Sequence, residues 1–134
     1  MAKKRLLLLG ATGMVGGLAM HDALAREEVA EVTSIGRRPT GFAHPKLREI
    51  VHADLRDLGA VSPAFEGQDA ALFCLGAYTG VVSDSELRRV SVDLVVAFAE
   101  ALRLGSPAAA VSFLSGQGAD SRERSRIAFA RYKG

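Results

Sequence analysis

Between positions 10 and 16 the chain reads Gly10-Ala11-Thr12-Gly13-Met14-Val15-Gly16, three glycines at three-residue spacing. Where side chains are missing, backbone N–H groups stand bare, and bare N–H groups bind anions. Ahead of this run lies Lys4–Leu9, whose continuous leucines suit a parallel strand buried on both faces. Behind it a helix is expected from about Gly13 to Arg26, with Val15, Leu18, Ala19 and Leu24 available for burial. Each glycine then has a task in a diphosphate site. Gly10 takes a tight turn, Gly13 lets amides approach the phosphates at the positive helix end, and Gly16 permits close helix–strand contact. The spacing is G-x-x-G-x-x-G, not the older G-x-G-x-x-G, but the physical demands are alike. A dinucleotide is the expected ligand, cradled by Gly10 to Gly16 including Ala11, Thr12, Met14 and Val15.

The end of the second strand chooses between coenzymes. A carboxylate there would accept a hydrogen bond from a ribose 2′-hydroxyl. This chain instead has Gly36-Arg37-Arg38, with no carboxylate until Glu49. A guanidinium fork matches a 2′-phosphate in charge and geometry, so NADP(H) is expected, with NAD(H) the alternative.

Those residues need a scaffold, and the remaining pattern supplies one. Val32–Ile35 reads as a second strand, ended by Gly36-Arg37-Arg38-Pro39, with Thr40–Pro45 a loop. Leu47–Ala53 suits a third strand. Asp57–Phe65 is a short helix candidate interrupted by Pro63, and Ala70–Leu75 is a fourth strand. Ser83 with Glu86 has the form of a capping box, opening a helix striped by Leu87, Val90, Leu94, Phe98, Ala101 and Leu102. Arg103 sits in its last turn, Gly105 is expected at C′, and Pro107 prevents continuation. Ala109–Leu114 is a fifth strand, and Arg124–Lys133 begins another helix. Alternating strands and helices predict an α/β fold: a three-layer, doubly wound parallel sheet, a Rossmann domain with about five strands present.

At 134 residues and 49% hydrophobic composition, the chain fits one domain, 1–134, with a real core. The sequence stops inside its last predicted helix, so a C-terminal part, before the substrate-binding segments, is expected to be missing. The apolar runs are too short to span a bilayer, and the four leucines after the basic start are too short for a signal peptide. One cysteine, Cys74, excludes an internal disulfide and favours a reducing, cytoplasmic setting. Cys74 itself reads as a buried small hydrophobe rather than a reactive thiol. Net charge is +2 and the pI about 9.0, too mild to imply nucleic acid. His21, His44 and His52 have no metal-ligand spacing. Arg122, Arg124, Arg126 and Arg131 alternate with acids as on a solvated helix face. No nucleophile elbow or P-loop lysine is present, so neither hydrolase nor nucleotide-triphosphatase chemistry is supported.

Taken in order, Gly10–Gly16, Arg37-Arg38, Ala53-Asp54-Leu55, Leu72–Gly76, Arg89–Asp93, Phe113-Leu114-Ser115 with Gly118–Asp120, and Lys133-Gly134 resemble the atypical short-chain dehydrogenase/reductases. The branch it is most similar to is the NmrA-like and Tat-interacting oxidoreductases. The resemblance implies that Asp54 and Leu55 contact the adenine, the carboxylate accepting from its amine and Leu55 covering a ring face. It implies that Leu75, Gly76 and Ala77 pass close to the nicotinamide ribose. It also implies an oxidoreductase acting on a small carbonyl-type substrate, with Ser115 orienting that carbonyl and Lys133 holding the ribose. Family reductases place a Tyr four residues before this Lys, as proton donor. Here that position is Phe129, while Tyr132, the candidate donor, adjoins Lys133 and would point about 100° away on a regular helix. A second family Ser is Gly116 here. A non-catalytic, redox-sensing dinucleotide module is therefore the alternative, favoured by Phe129, with a sugar-nucleotide epimerase a weaker third. The family often pairs through the last helix, which leaves homo-oligomerisation open.

Overall fold

In the computed structural model the described residues are 3–53, 57–75, 83, 85, 88 and 92–113. Five strands form one parallel sheet: β1 Lys4–Leu9, β2 Val29–Gly36, β3 Leu47–Val51, β4 Ala70–Phe73 and β5 Ala110–Phe113. Their spatial order is β3-β2-β1-β4-β5. Helix α1 (Met14–Ala25) covers one face. A 3₁₀ segment (Leu58–Phe65) and helix α2 (Leu94–Gly105) cover the other.

The leucine run of β1 shows why the sheet needs both layers. Leu6 and Leu8 pack on the α1 side with Met20, Ala23, Leu24 and Val32. Leu7 and Leu9 face the other way, toward Ile35, Phe65, Phe73, Leu94, Phe98 and Leu102. Alternate side chains of one strand thus feed two cores, as the period of two requires. On the α2 side the Phe65, Phe73 and Phe98 rings meet edge-to-face, Phe98 lying 5.5 Å from Phe65 and 5.4 Å from Phe73.

The expected strands all form, with shifted ends. β2 begins three residues earlier than read: Val29 and Glu31 pair with Lys4 and Arg5 of β1, and the Arg5 side chain meets Glu31 at 3.2 Å. β3 ends at Val51, after which the His52 N–H makes the last ladder bond, to the Gly36 carbonyl at 2.8 Å. β4 ends at Phe73 rather than Leu75. Pro63 does not break the segment after Asp57; the chain runs as a tight 3₁₀ turn with a kink at Val61.

Two expectations about helices are corrected. In α1 the buried residues are Gly16, Met20, Ala23 and Leu24, whereas Val15 and Leu18 are exposed. The helix is apolar nearly all round, so the close approach at Gly16, not periodicity, selects its inner face. In α2 the stripe Leu94, Phe98 and Leu102 is buried as read; Glu86, Leu87 and Val90 lie outside the described residues. Gly105, however, is the last helical residue rather than a left-handed C′ residue. A Cβ on it would stand 2.6 Å from the Phe65 carbonyl oxygen. Gly105 is small so that α2 can dock on the 3₁₀ segment. The next residue, Ser106, secures that junction: its hydroxyl donates to the Phe65 carbonyl at 2.5 Å and accepts from the Gln68 N–H at 2.9 Å.

Candidate functional site

The chain leaves β1 for β2 and β3 on one side, and returns to place β4 and β5 on the other. A sheet that reverses its order in this way opens a crevice beyond the carboxyl ends of the central strands. A cleft lies there. It is lined by Leu9–Thr12 after β1, by Ser34–Arg38 at the end of β2, by Thr40, and by Leu75 after β4.

The glycines build this cleft by backbone contacts. Gly10 has φ +100°, and a Cβ there would lie 2.8 Å from the Cys74 carbonyl carbon and 2.9 Å from the Leu75 nitrogen. It therefore serves both the turn and the exit of β4. A Cβ on Gly16 would fall 1.9 Å from the Gly10 carbonyl oxygen, so α1 rests directly on the end of β1. Gly13 is different. Its Cβ would meet the same oxygen only at 3.5 Å, an ordinary contact. Its N–H donates to the Gly10 carbonyl at 3.1 Å, and its own carbonyl accepts the first helical bond, from Gly17 at 2.8 Å.

The N–H groups of Met14, Val15 and Gly16 precede that first bond, so α1 begins with unfilled donors. No side chain caps them, and no acidic residue occupies the first turn. An anion is the group that completes such a terminus.

Arg37 and Arg38 line the same cleft with exposed side chains. Among the described residues neither forms an ion pair, unlike Arg5, which meets Glu31, and Arg26, which meets Asp22. Two uncommitted guanidinium groups thus stand on the rim opposite the glycine turn. The cleft also contains Ser34 and Thr40, which the sequence reading passed over. Ser34 and its neighbour Thr33 are buried polar residues inside the run Val32–Ile35, and that was the signal. Cys74, half-buried just after β4, has its thiol pKa pushed up by burial, which favours the protonated form.

Of the residues expected at the site, Gly10, Ala11, Thr12, Arg37, Arg38 and Leu75 are brought into one cleft, and Gly13–Gly16 open the adjoining helix. Asp54, Leu55, Gly76, Ala77, Ser115, Phe129, Tyr132 and Lys133 lie outside the described residues.

A family profile described as NAD(P)H-binding matches residues 10–125. The chain belongs to this NAD(P)H-binding family. The match begins at the first glycine of the loop, and the cleft of this NAD(P)H-binding chain has the backbone cradle a diphosphate requires. Rat "Protein HTATIP2" is 30% identical over 122 residues, covering 90% of this chain and 50% of the rat protein. The chain spans about half the length of that curated relative. Uronate dehydrogenase from Agrobacterium tumefaciens superposes with a TM-score of 0.70 at 25% identity, over 89% of this chain and 43% of the enzyme. A short chain dehydrogenase from Leptospira borgpetersenii, solved with bound NAD+, gives 0.76 at 15% identity, over 99% and 61% respectively. This NAD(P)H-binding chain shares its fold with these dehydrogenases. Among its described residues no helix is long and apolar enough to cross a membrane.

Proposed function

We propose that the coenzyme is NADP(H), and that the protein to which this domain belongs reduces or oxidises a small carbonyl-type substrate. The observation that carries the coenzyme assignment is the pair of unpaired guanidinium groups, Arg37 and Arg38, lining the cleft that begins at Gly10. A 2′-phosphate offers their planar guanidinium groups a charged, tetrahedral partner with oxygens for bidentate contacts, and a 2′-hydroxyl does not. The glycine turn and the open N-terminus of α1 hold the diphosphate. Asp54 and Leu55 would hold the adenine, and Leu75, Gly76 and Ala77 would border the nicotinamide ribose. When bound, the coenzyme supplies or accepts a hydride.

The chain's own contribution is position and proton. Ser115 orients the carbonyl, Lys133 binds the ribose hydroxyls, and Tyr132, water or the substrate itself provides the proton. Phe129, where the related reductases have a proton donor, favours a second reading: a domain that binds the coenzyme and reports redox state without turnover.

One set of measurements tests both. Calorimetric titration is expected to show NADPH binding more tightly than NADH. Replacing Arg37→Ala and Arg38→Ala together should weaken NADPH roughly 10- to 100-fold while leaving NADH within about threefold, the loss expected for charge-assisted contacts. A preference for NADH that survives the double replacement sinks the assignment. With a panel of carbonyl compounds, NADPH consumption abolished by Tyr132→Phe establishes the enzyme. Absence of turnover, gained on Phe129→Tyr, establishes the binding module.

A further inference from the structure

The connection from β2 to β3 is unusual for a parallel pair. Ten residues, Arg37 to Lys46, carry the chain across without a helix, where such crossovers ordinarily contain one. With no helical hydrogen bonds inside it, this loop must be held by individual ties. Its strongest lies next to the arginines. Glu49, on β3, accepts from both the backbone N–H of Thr40, at 2.8 Å, and the Thr40 hydroxyl. The Thr40 hydroxyl in turn accepts from the Phe42 N–H at 3.2 Å, across Gly41, whose φ of +76° closes the turn. Phe42 then packs its ring edge-on to His21 of α1, 4.5 Å away. Thr40 itself lines the coenzyme cleft, two residues beyond Arg38.

We propose that Glu49 is the positioning residue for coenzyme discrimination: its carboxylate clamps Thr40 and so fixes where Arg37 and Arg38 present their guanidinium groups. The proposal deepens the NADP(H) reading above and rests on it. Charge and geometry here act in opposite senses, which makes the idea separable from simple electrostatics. One hydrogen bond from a cleft-lining residue, a carboxylate repels a phosphate. As a clamp, it preorganises the arginines that bind one.

Glu49→Gln removes the charge and keeps an oxygen that accepts both Thr40 donors. Glu49→Ala removes both. NADPH and NADH dissociation constants are measured for the wild type and each variant. Glu49→Gln is expected to keep the NADPH-to-NADH preference or raise it. Glu49→Ala is expected to lower it about fivefold or more, with NADH affinity little changed. If the two variants move the ratio together, or if Glu49→Ala leaves it unchanged, the clamp is refuted.

A second readout needs no coenzyme. Trypsin cuts after Arg37 but not at the Arg38–Pro39 bond. Cleavage after Arg37 should be roughly tenfold faster in Glu49→Ala than in wild type or Glu49→Gln. Equal rates in all three refute the clamp. Should the wild type bind both coenzymes equally, the NADP(H) reading falls, and the trypsin rates alone decide whether Glu49 holds the loop.

Discussion

Gly13 and Gly16 carry different expectations from the sequence, and the space around them differs as well. At Gly16 an added methyl would sit 1.9 Å from a backbone oxygen, and backbone cannot swing aside as a flexible side chain can. Gly16→Ala must push α1 off the end of β1, an overpacking that costs about 1–3 kcal/mol and moves the anion-binding amides. At Gly13 the methyl is tolerated at 3.5 Å, and its φ of −82° suits any residue. Gly13→Ala should therefore cost under about 1 kcal/mol as an N-cap change. It should still weaken coenzyme binding about tenfold, because a Cβ now stands where the diphosphate approaches. Thermal melting and calorimetric titration of the two variants separate these outcomes: Gly16→Ala loses both stability and binding, Gly13→Ala chiefly binding. Equal loss of stability in both would mean that the loop has no graded roles. The three glycines and the two arginines were singled out from type and spacing alone, and the structure sets Gly10, Arg37 and Arg38 around one cleft with Gly13 and Gly16 at the adjoining helix. Thr40 and Glu49 were not, because their partnership depends on a loop folding back over β3, and nothing in local periodicity encodes that.

At the scale of elements, β1 and β4 were readable as short apolar runs, and β3 through Ile50 and Val51 despite Arg48 and Glu49 inside it, but the ends were set by partners distant in sequence. The start of β2 follows its pairing with Lys4 and Arg5 of β1, and the inner face of α1 the steric gap at Gly16. Gly105 shows the same dependence most clearly. Its position after an amphipathic stripe suggested a left-handed cap, and its real function is to let α2 touch Phe65. The docking of α2 on the 3₁₀ segment gives a prediction confined to that junction. Ser106→Ala leaves the Phe65 carbonyl and the Gln68 N–H without their buried partner. The loss of two hydrogen bonds in a site only 7% exposed should cost about 1–3 kcal/mol. The junction rests against the core under α2, whereas the cleft is lined from the strands' carboxyl ends. Coenzyme affinity should accordingly stay within about twofold of wild type. Urea unfolding and coenzyme titration of the same variant check both halves, and a coenzyme defect matching the stability loss would show the junction and cleft to be coupled.

For the molecule as a whole, pH reaches stability through a group that the sequence marked only as a small hydrophobe. Cys74 follows β4 directly, its N–H donating to the Leu9 carbonyl at 2.8 Å, and its side chain packs with the α1-side core. Burial raises its pKa in the folded state relative to the unfolded chain. The folded protein thus binds the thiol proton more tightly than the unfolded chain does. Linkage then sets the sign: this contribution is whole below the ordinary thiol range near about 8.5, and is lost as pH rises through the higher folded value. A Cys74→Ala protein lacks it at every pH. The stability difference between wild type and Cys74→Ala, measured by urea unfolding, should hold constant from about pH 6 to pH 8 and narrow above that. Other alkaline titrations act on both proteins and cancel in the difference. A gap that stays level to about pH 10 would mean that the thiolate is as comfortable beside the core as in water, contrary to the desolvation that its position against Leu72 and α1 imposes.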